Sequence, residues 1–474
     1  MSVARAVSQC VATPSSWRYL GGGEKIVGVR KGSAIRPRGA AVRRITSRRA
    51  TQAEGVEEIE EMHASLPFTR EMWATFMREY WQKRPVVIRG AMPPEAAMPI
   101  DADELAGLAC ESEFQPRVIN KGTGGPADWS LELGPFTEQE LQALPTDGSW
   151  CVILNDLEKH VQDLATFLDL FDHFPRWRVA DVQASLSGDG GGVGAHSDQF
   201  DVFLVQGEGC KQWSISADPE YAPENDDAFF PDAQVRVLRD FHPTAQSLLK
   251  PGDILYLPPK VAHHGIAEAD KGVCVTYSVG FLAPTHDELV SSYAQALADG
   301  CERVERWSDP WLEPQEAVGK ISPSAVTHAA EIIRNAIPKN EADIARWFGC
   351  HVTASHGFDG DGFVPDEKLS ADELLAIWTE EGVMFRRADI RFAFVDEVGD
   401  GSLEGCLFFA AGDVWELKSP RGVEFARHVA NFDDVVAEDW VERIGAEEFD
   451  MDEEVKAFLL DLFSIGYLFL EDVE

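Results

Sequence analysis

His196 and Asp198 stand two residues apart inside the run Ser185–Ser216, SLSGDGGGVGAHSDQFDVFLVQGEGCKQWSIS. On an extended strand such a pair sends both side chains to one face, where an imidazole and a carboxylate can grip one cation. A third donor is offered 67 residues beyond His196, where an apolar run ends in Pro258-Pro259 and the pair His263-His264 follows. Adjacent strand residues face opposite ways, so only one of these two histidines can ligate. Two histidines and one carboxylate that leave other positions open are the facial triad of non-haem Fe(II) oxygenases, with room for a bidentate 2-oxo acid and dioxygen. A lone His-x-Asp arises easily by chance in a chain with twelve histidines. Its conjunction with a histidine after a strand and turn is what points to a site. A 2-oxo acid with a second carboxylate also needs a cation, and Lys211 is the first basic residue after the ligand segment; the alternative for it is a surface lysine.

The elements that must position these residues are short strands. Between Val179 and about Pro284 the pattern predicts strands over Phe200–Gln206, Lys211–Ser216, Val235–Leu238, Asp253–Leu257 and Val273–Phe281. Short strands in this rhythm suggest a sandwich or barrel, whose open mouth suits a small-ligand site. The run Gly188–Gly194 lacks the Lys-Ser/Thr and the following helix of a phosphate loop, and reads as a flexible hairpin leading to the ligand segment. Upstream, Thr69 caps a helix with Met72, Trp73, Phe76, Met77, Tyr80 and Trp81 at helical spacing. A strand over Lys83–Gly90, a short helix over Asp101–Cys110 and a helix over Asp156–Phe171 are expected next. Beyond Pro284, helices are predicted over His286–Val304 and over Ser324–Phe348, the latter interrupted at Pro338. The last stretch predicts helices at Ala371–Glu380, Gly422–Asn431 and Asp452–Phe463. Strands are placed near Val383–Phe394, Leu407–Ala410, Val414–Leu417 and Tyr467–Leu470.

The chain of 474 residues is 45% apolar and 10% aromatic, a globular composition long enough for several domains. No run approaches the ~20 apolar residues of a membrane span. Eight cysteines without a C-x-x-C pair suit reduced thiols. Residues 1–53 hold eleven basic side chains and one acid, the composition of an organellar transit peptide, with cleavage expected between Arg49 and Glu54. The alternative is a basic tail that stays attached. The remaining chain carries 31 basic and 80 acidic side chains, a formal charge of −49 that disfavours nucleic acid and favours basic protein partners.

At Ser185–Trp213, Leu255–Gly265 and Thr276–Phe281 the chain resembles the cupin-fold, Jumonji-type ribosomal oxygenases, above all the bacterial ribosomal protein arginine hydroxylases. Tyr80–Ile88, Asp103–Ala109, Leu133–Phe136 and Gly466–Phe469 carry the resemblance over everything after about residue 55. It implies that the iron ligands are His196, Asp198 and His263, with His264 where the bacterial enzymes have an acid. The residue for the distal carboxylate of 2-oxoglutarate falls on Lys211, where the bacterial enzymes have arginine. That change keeps the charge but loses the bidentate fork. Ser185 and Thr276 match positions near the cosubstrate. The implied fold is α+β: a double-stranded β-helix (cupin/Jumonji) barrel, a helical dimerisation module and a winged-helix-like C-terminal domain. The expected boundaries are 1–53 for the leader or tail, 54–284 for the barrel, 285–350 for the helical module and 351–474 for the last domain.

The resulting expectation is an Fe(II)- and 2-oxoglutarate-dependent hydroxylase, a homodimer in mitochondrion or plastid. It would act on an arginine of a basic large-subunit ribosomal protein, with no direct nucleic-acid or membrane contact. Asp201 is a candidate to pair with the guanidinium, the alternative being a structural hydrogen bond inside the barrel. Rival readings are a histidine hydroxylase, a Jumonji demethylase acting on another basic protein, or a non-catalytic cupin scaffold in ribosome assembly.

Overall fold

Strands dominate the part of the chain that carries the candidate ligands. The computed structural model describes residues 56–125, 127–145, 149–268, 272–300, 306–314, 317, 319–354, 368–432, 434–444 and 451–470. The basic segment 1–53 and its expected cleavage region lie outside the described residues. Two units can be told apart, one from residues up to Leu154 with Ala184–Ser278, the other from Asn155–Gln183 with Val279 onward.

The first unit begins with β1 (Glu57–Glu58), β2 (Glu61–His63), α1 (Arg70–Glu79), β3 (Val86–Arg89) and α2 (Ala102–Leu108). It continues with β4 (Arg117–Lys121), β5 (Trp129–Leu133), α3 (Glu138–Gln142), β6 (Trp150–Leu154), β7 (Val179–Ser187, of which this unit takes the part from Ala184) and β8 (Asp201–Gln206). Then come β9 (Cys210–Ser216), β10 (Ala245–Leu249), β11 (Ile254–Leu257), β12 (Ala262–Glu268) and β13 (Cys274–Phe281). Among the described residues these strands form a small sheet in the order β1-β10-β9-β12 and a large one in the order β2-β3-β11-β8-β13-β7-β6-β4-β5. A core of Val87, Val202, Leu204, Leu255 and Leu257 from the large sheet meets Trp213, Ile215 and Leu249 from the small one.

Strand alternation sorts the side chains. On β8, Val202 and Leu204 enter that shared core, while Phe203 turns to the other face and packs on Phe76, Tyr256 and Trp73 with ring centroids 5.5, 4.9 and 6.5 Å away. Thr69 accepts a hydrogen bond from the Met72 amide and so starts α1, whose buried Trp73 and Phe76 cover this face. Each such ring contributes about 1.5–3 kcal/mol by burial.

Two expectations need correction here. Val235–Leu238 is not a strand; only Leu238 joins an isolated bridge, with Phe229, while Val235 and Val237 pack beside Trp129 and Ile153. The strand that completes the small sheet is β10, which pairs with β9 from Ala245↔Ile215 to Leu249↔Lys211. The helix expected over Asp156–Phe171 divides into a 3-10 turn at Leu157–Lys159, α4 (Gln162–Phe167) and a second 3-10 turn at Leu168–Phe171. Asp156 enters it with φ +56°, a left-handed residue that a continuous helix cannot contain.

The second unit contains α4 and then α5 (His286–Gly300), α6 (Pro323–Ala336), α7 (Glu341–Thr353), α8 (Ala371–Glu381), β14 (Val383–Arg386), β15 (Phe392–Val395) and β16 (Cys406–Ala410). It ends with β17 (Asp413–Leu417), α9 (Pro420–Asn431), β18 (Asp434–Val436), α10 (Ala437–Ile444), α11 (Glu453–Ser464) and β19 (Leu468–Phe469). Pro338 separates α6 from α7, as its missing amide requires. Trp378, Phe408, Phe425, Trp440 and Phe458 centre a core shared by α8–α11 and the short strands around them.

Candidate metal centre

β12 turns His263 inward beside Ile215 of β9. His196 reaches the same place without a regular strand. It forms an isolated antiparallel bridge in which its amide donates to the His263 carbonyl at 3.0 Å and the His263 amide donates back at 2.7 Å. A directly opposed pair sets its two side chains next to each other, and the imidazole centroids are 4.2 Å apart. The Lys260 amide, donating to the Asp198 carbonyl at 2.7 Å, ties down the residue that completes the set. The segment around His196 and Asp198 is therefore irregular rather than an extended strand, and the bridge supplies the alignment.

Each histidine approaches a main-chain carbonyl through Nδ1 at 3.0 Å, His196 to Gly194 and His263 to Val261. A carbonyl only accepts, so Nδ1 carries the proton and the Nε2 lone pair of each ring is free. Both Nε2 atoms face the same Asp198 oxygen, at 3.9 Å from His196 and 3.6 Å from His263. One donor atom from each of the three residues lies within 4.8 Å of the others, and all three residues are buried. Burial pushes the Asp198 carboxyl up, against the opposing pull of His196, and holds the His263 imidazole well below its usual range. A His263 imidazole held neutral, the Nε2 of His196 and a costly buried carboxylate are a donor set that a divalent cation would stabilise.

The glycine run serves this alignment by close approach. The Gly190 amide donates to the Ala267 carbonyl and the Ala267 amide to the Gly191 carbonyl, each at 2.9 Å, which lays the run against β12. A Cβ on Gly192 would stand 2.2 Å from the Gly265 carbonyl oxygen, and one on Gly191 would stand 2.1 Å from that of Trp150. The run is thus held against β12 by hydrogen bonds rather than being a flexible hairpin.

Lys211, on the inward face of β9 with Trp213, is only 4% exposed. Its Nζ donates to Ser185 Oγ at 3.2 Å and Thr276 Oγ1 at 3.4 Å, and lies 5.3 Å from the Trp213 ring centroid. The structure brings Lys211, Ser185 and Thr276 into one cluster, and no carboxylate among the described residues pairs with this ammonium. A buried cation with only hydroxyl partners is costly until an anion joins it. His264 faces away from the three donors, edge-on to Phe241 at 6.3 Å, and burial pushes its pKa down to about 4.

Asp201 does not meet the expectation placed on it. It shares the face of Phe203 rather than that of Val202, and has no exposed surface. Its carboxylate accepts from Tyr256 Oη at 2.6 Å and Gln82 Nε2 at 2.9 Å. This is the structural hydrogen bond inside the barrel, and it occupies the carboxylate that would have met a guanidinium. The residue missed by sequence reasoning is Gln206, fully buried at the end of β8 and bonded to Thr276. Its only signal was its even-numbered place on the same face as Val202 and Leu204.

The JmjC domain family matches residues 166–289. The ribosomal protein uL16 3-hydroxylase of Escherichia coli is 30% identical over 328 residues, spanning 69% of this chain and 83% of the relative. A probable ribosomal oxygenase of Haemophilus influenzae is 28% identical over 312 residues, 65% of this chain and 74% of the relative. The structure of YcfD, a ribosomal oxygenase from Escherichia coli, in complex with cobalt and 2-oxoglutarate superposes with a TM-score of 0.67 at 27% identity, covering 86% of this chain and 99% of that one.

Proposed function

Because the chain belongs to the JmjC-type ribosomal oxygenases, we propose that it is a 2-oxoglutarate- and Fe(II)-dependent hydroxylase of a ribosomal protein. The observation that carries this reading is the buried set of His196, Asp198 and His263, with two Nε2 lone pairs and a carboxylate oxygen turned on one point. These three residues would hold the iron, and Lys211 with Ser185 and Thr276 would hold the distal carboxylate of 2-oxoglutarate. Bound iron and 2-oxoglutarate supply the oxidising power that places one oxygen of O2 on a substrate C–H bond. The protein's own part is to fix the imidazole tautomers, keep the three donors buried, and anchor the cosubstrate through a buried ammonium.

The target we assign is a β-carbon of arginine in the organellar counterpart of uL16. The −49 charge of the chain after residue 53 supports a basic partner, and the relative named a uL16 3-hydroxylase supports the protein and the carbon. Residues 1–53 serve in this reading as the import signal of a mitochondrial or plastid enzyme. The segment 54–284 is the catalytic domain, 285–350 a dimerisation module and 351–474 a winged-helix-like domain. Support for dimerisation comes from α6, which buries no residue and exposes Val326, Ile332 and Ile333; Val290, Leu312 and Ile321 are exposed as well.

Three matched uL16-derived peptides test the reading, with the target arginine kept, changed to lysine or changed to histidine. Succinate formation coupled to the gain of one oxygen on the arginine peptide alone is expected. Oxidation of the histidine peptide alone would assign the chain to histidine hydroxylation, loss of a methyl group from a fourth, methylated peptide would make it a demethylase, and metal binding without turnover of any peptide would leave a scaffold.

A further inference from the structure

Gln206 has its amide orientation dictated by its surroundings. Its Nε2 faces the carbonyls of Glu208 at 2.8 Å, Val275 at 3.1 Å and Gly209 at 3.5 Å, with Cys274 Sγ at 3.3 Å. Carbonyl oxygens only accept, so the NH2 end must lie there and Oε1 must face the other way. Oε1 is 3.2 Å from Thr276 Oγ1. An amide oxygen cannot donate, so the single hydroxyl proton of Thr276 is committed to Gln206. The Ser185 hydroxyl is committed likewise, donating to the Thr276 carbonyl at 3.4 Å. Both hydroxyls therefore turn lone pairs to Lys211 Nζ and accept two of its three protons. The third N–H has no oxygen acceptor among the described residues.

We propose that Gln206 is a positioning residue for the cosubstrate: it sets the Thr276 hydroxyl as an acceptor, which aims the remaining Lys211 proton at the distal carboxylate of a 2-oxo diacid. The inference rests on the cosubstrate role given above to Lys211. A lysine has three rotationally equivalent donors and no planar fork, so it fixes a carboxylate only when its other protons are spoken for. Arginine would bring that order in its own side chain. Here the order comes from the relay Gln206–Thr276–Lys211, assisted by Ser185. The consequence is selectivity: the relay contributes to binding only if the ligand has a second carboxylate.

The test uses the full chain loaded with Mn(II) in place of iron, so that affinity is read without turnover. Calorimetry measures binding of Mn(II), then of 2-oxoglutarate and of 2-oxopentanoate, which lacks the distal carboxylate. Freeing the Thr276 hydroxyl, and with it the aim of the Lys211 ammonium at the carboxylate, predicts that Gln206→Met weakens 2-oxoglutarate about tenfold. Binding of 2-oxopentanoate and of Mn(II) should change by less than about twofold, the margin expected of groups that share no interaction with the altered side chain. Thr276→Val should match it, and the double variant should be no weaker than either single one, because both changes break one relay. An equal loss for both acids, or additive losses in the double variant, would overturn the relay. If Gln206→Met fails to fold, an unchanged preference for the diacid in Thr276→Val overturns it alone. Lys211→Ala separates this from the underlying reading. If it leaves the preference for the diacid intact, the cosubstrate assignment itself fails; if it abolishes the preference while Gln206→Met and Thr276→Val do not, only the positioning role falls.

Discussion

A carbonyl fixes the tautomer of each histidine at the candidate centre, and that small fact decides what each side chain is worth. Because Nδ1 of His196 and of His263 is bound to the backbone, Nε2 is the atom each can offer, and a substitution that removes it has no substitute. His196→Ala, Asp198→Ala and His263→Ala should each lose iron-dependent turnover and weaken Mn(II) binding beyond the 10–100-fold that altering an outer-shell partner costs. Circular dichroism should show the fold retained. His264→Ala should have a much smaller effect, since its ring packs on Phe241; if it strips the metal and His263→Ala does not, the ligand assignment is displaced by one residue. Asp201 belongs to stability instead. Asp201→Ala removes the buried hydrogen bonds that Tyr256 and Gln82 donate to it and should cost about 1–3 kcal/mol in denaturant unfolding. The KM for an arginine peptide should not change.

Elements hold these residues through backbone contact as much as through side chains. Gly192 touches β12 where a methyl group would press on the Gly265 carbonyl, two residues from His263. Gly192→Ala should therefore weaken Mn(II) binding although no ligand is altered, whereas Gly90→Ala, at an open turn with nothing within 4 Å, should affect stability alone through its φ of +58°. In the second unit, Glu158 accepts from the Val182 amide at 2.7 Å while burial pushes its pKa up to about 8, with Asp181 adding to the shift. Its folded pKa lies above the unfolded one, so its contribution is fully present at acid pH and is lost as pH rises from about 4.5 through about 8. Glu158→Gln should match the wild-type Tm near pH 5 and exceed it at pH 9; a constant offset would contradict the account. The strands legible in the sequence included β3, β8, β11, β13 and β16, with clear apolar runs, and β9, whose Trp213 and Ile215 alternate with polar residues. β10 was hidden because Gln246 and Ser247 interrupt its apolar character, although Ser247 is buried. The strand β6 was passed over although Trp150–Leu154 is a continuous apolar run. The triad could be read from spacing plus resemblance, but Gln206 could not, since its role depends on which carbonyls surround its amide.

For the whole molecule, charge is the property that reaches furthest from the site. Light scattering of the chain without residues 1–53 should give twice the monomer mass, and Ile332→Glu with Ile333→Glu on α6 should halve it if that face carries the contact. The electrostatic prediction is independent of that outcome. The −49 body must attract a basic ribosomal segment over distances set by the Debye length, about 10 Å at 0.1 M salt and about 3 Å at 1 M. Attraction at that range speeds encounter and orientation but does nothing for the buried chemistry at His196, Asp198 and His263. Raising salt from low to high should therefore lower kcat/KM for the arginine peptide by about tenfold or more, while kcat at saturating peptide stays level. A peptide whose flanking lysines and arginines are replaced by glutamine, with the target arginine kept, should start with a higher KM and lose most of the salt dependence. If both peptides respond equally to salt, or if kcat falls with kcat/KM, the acidic surface is not guiding the substrate.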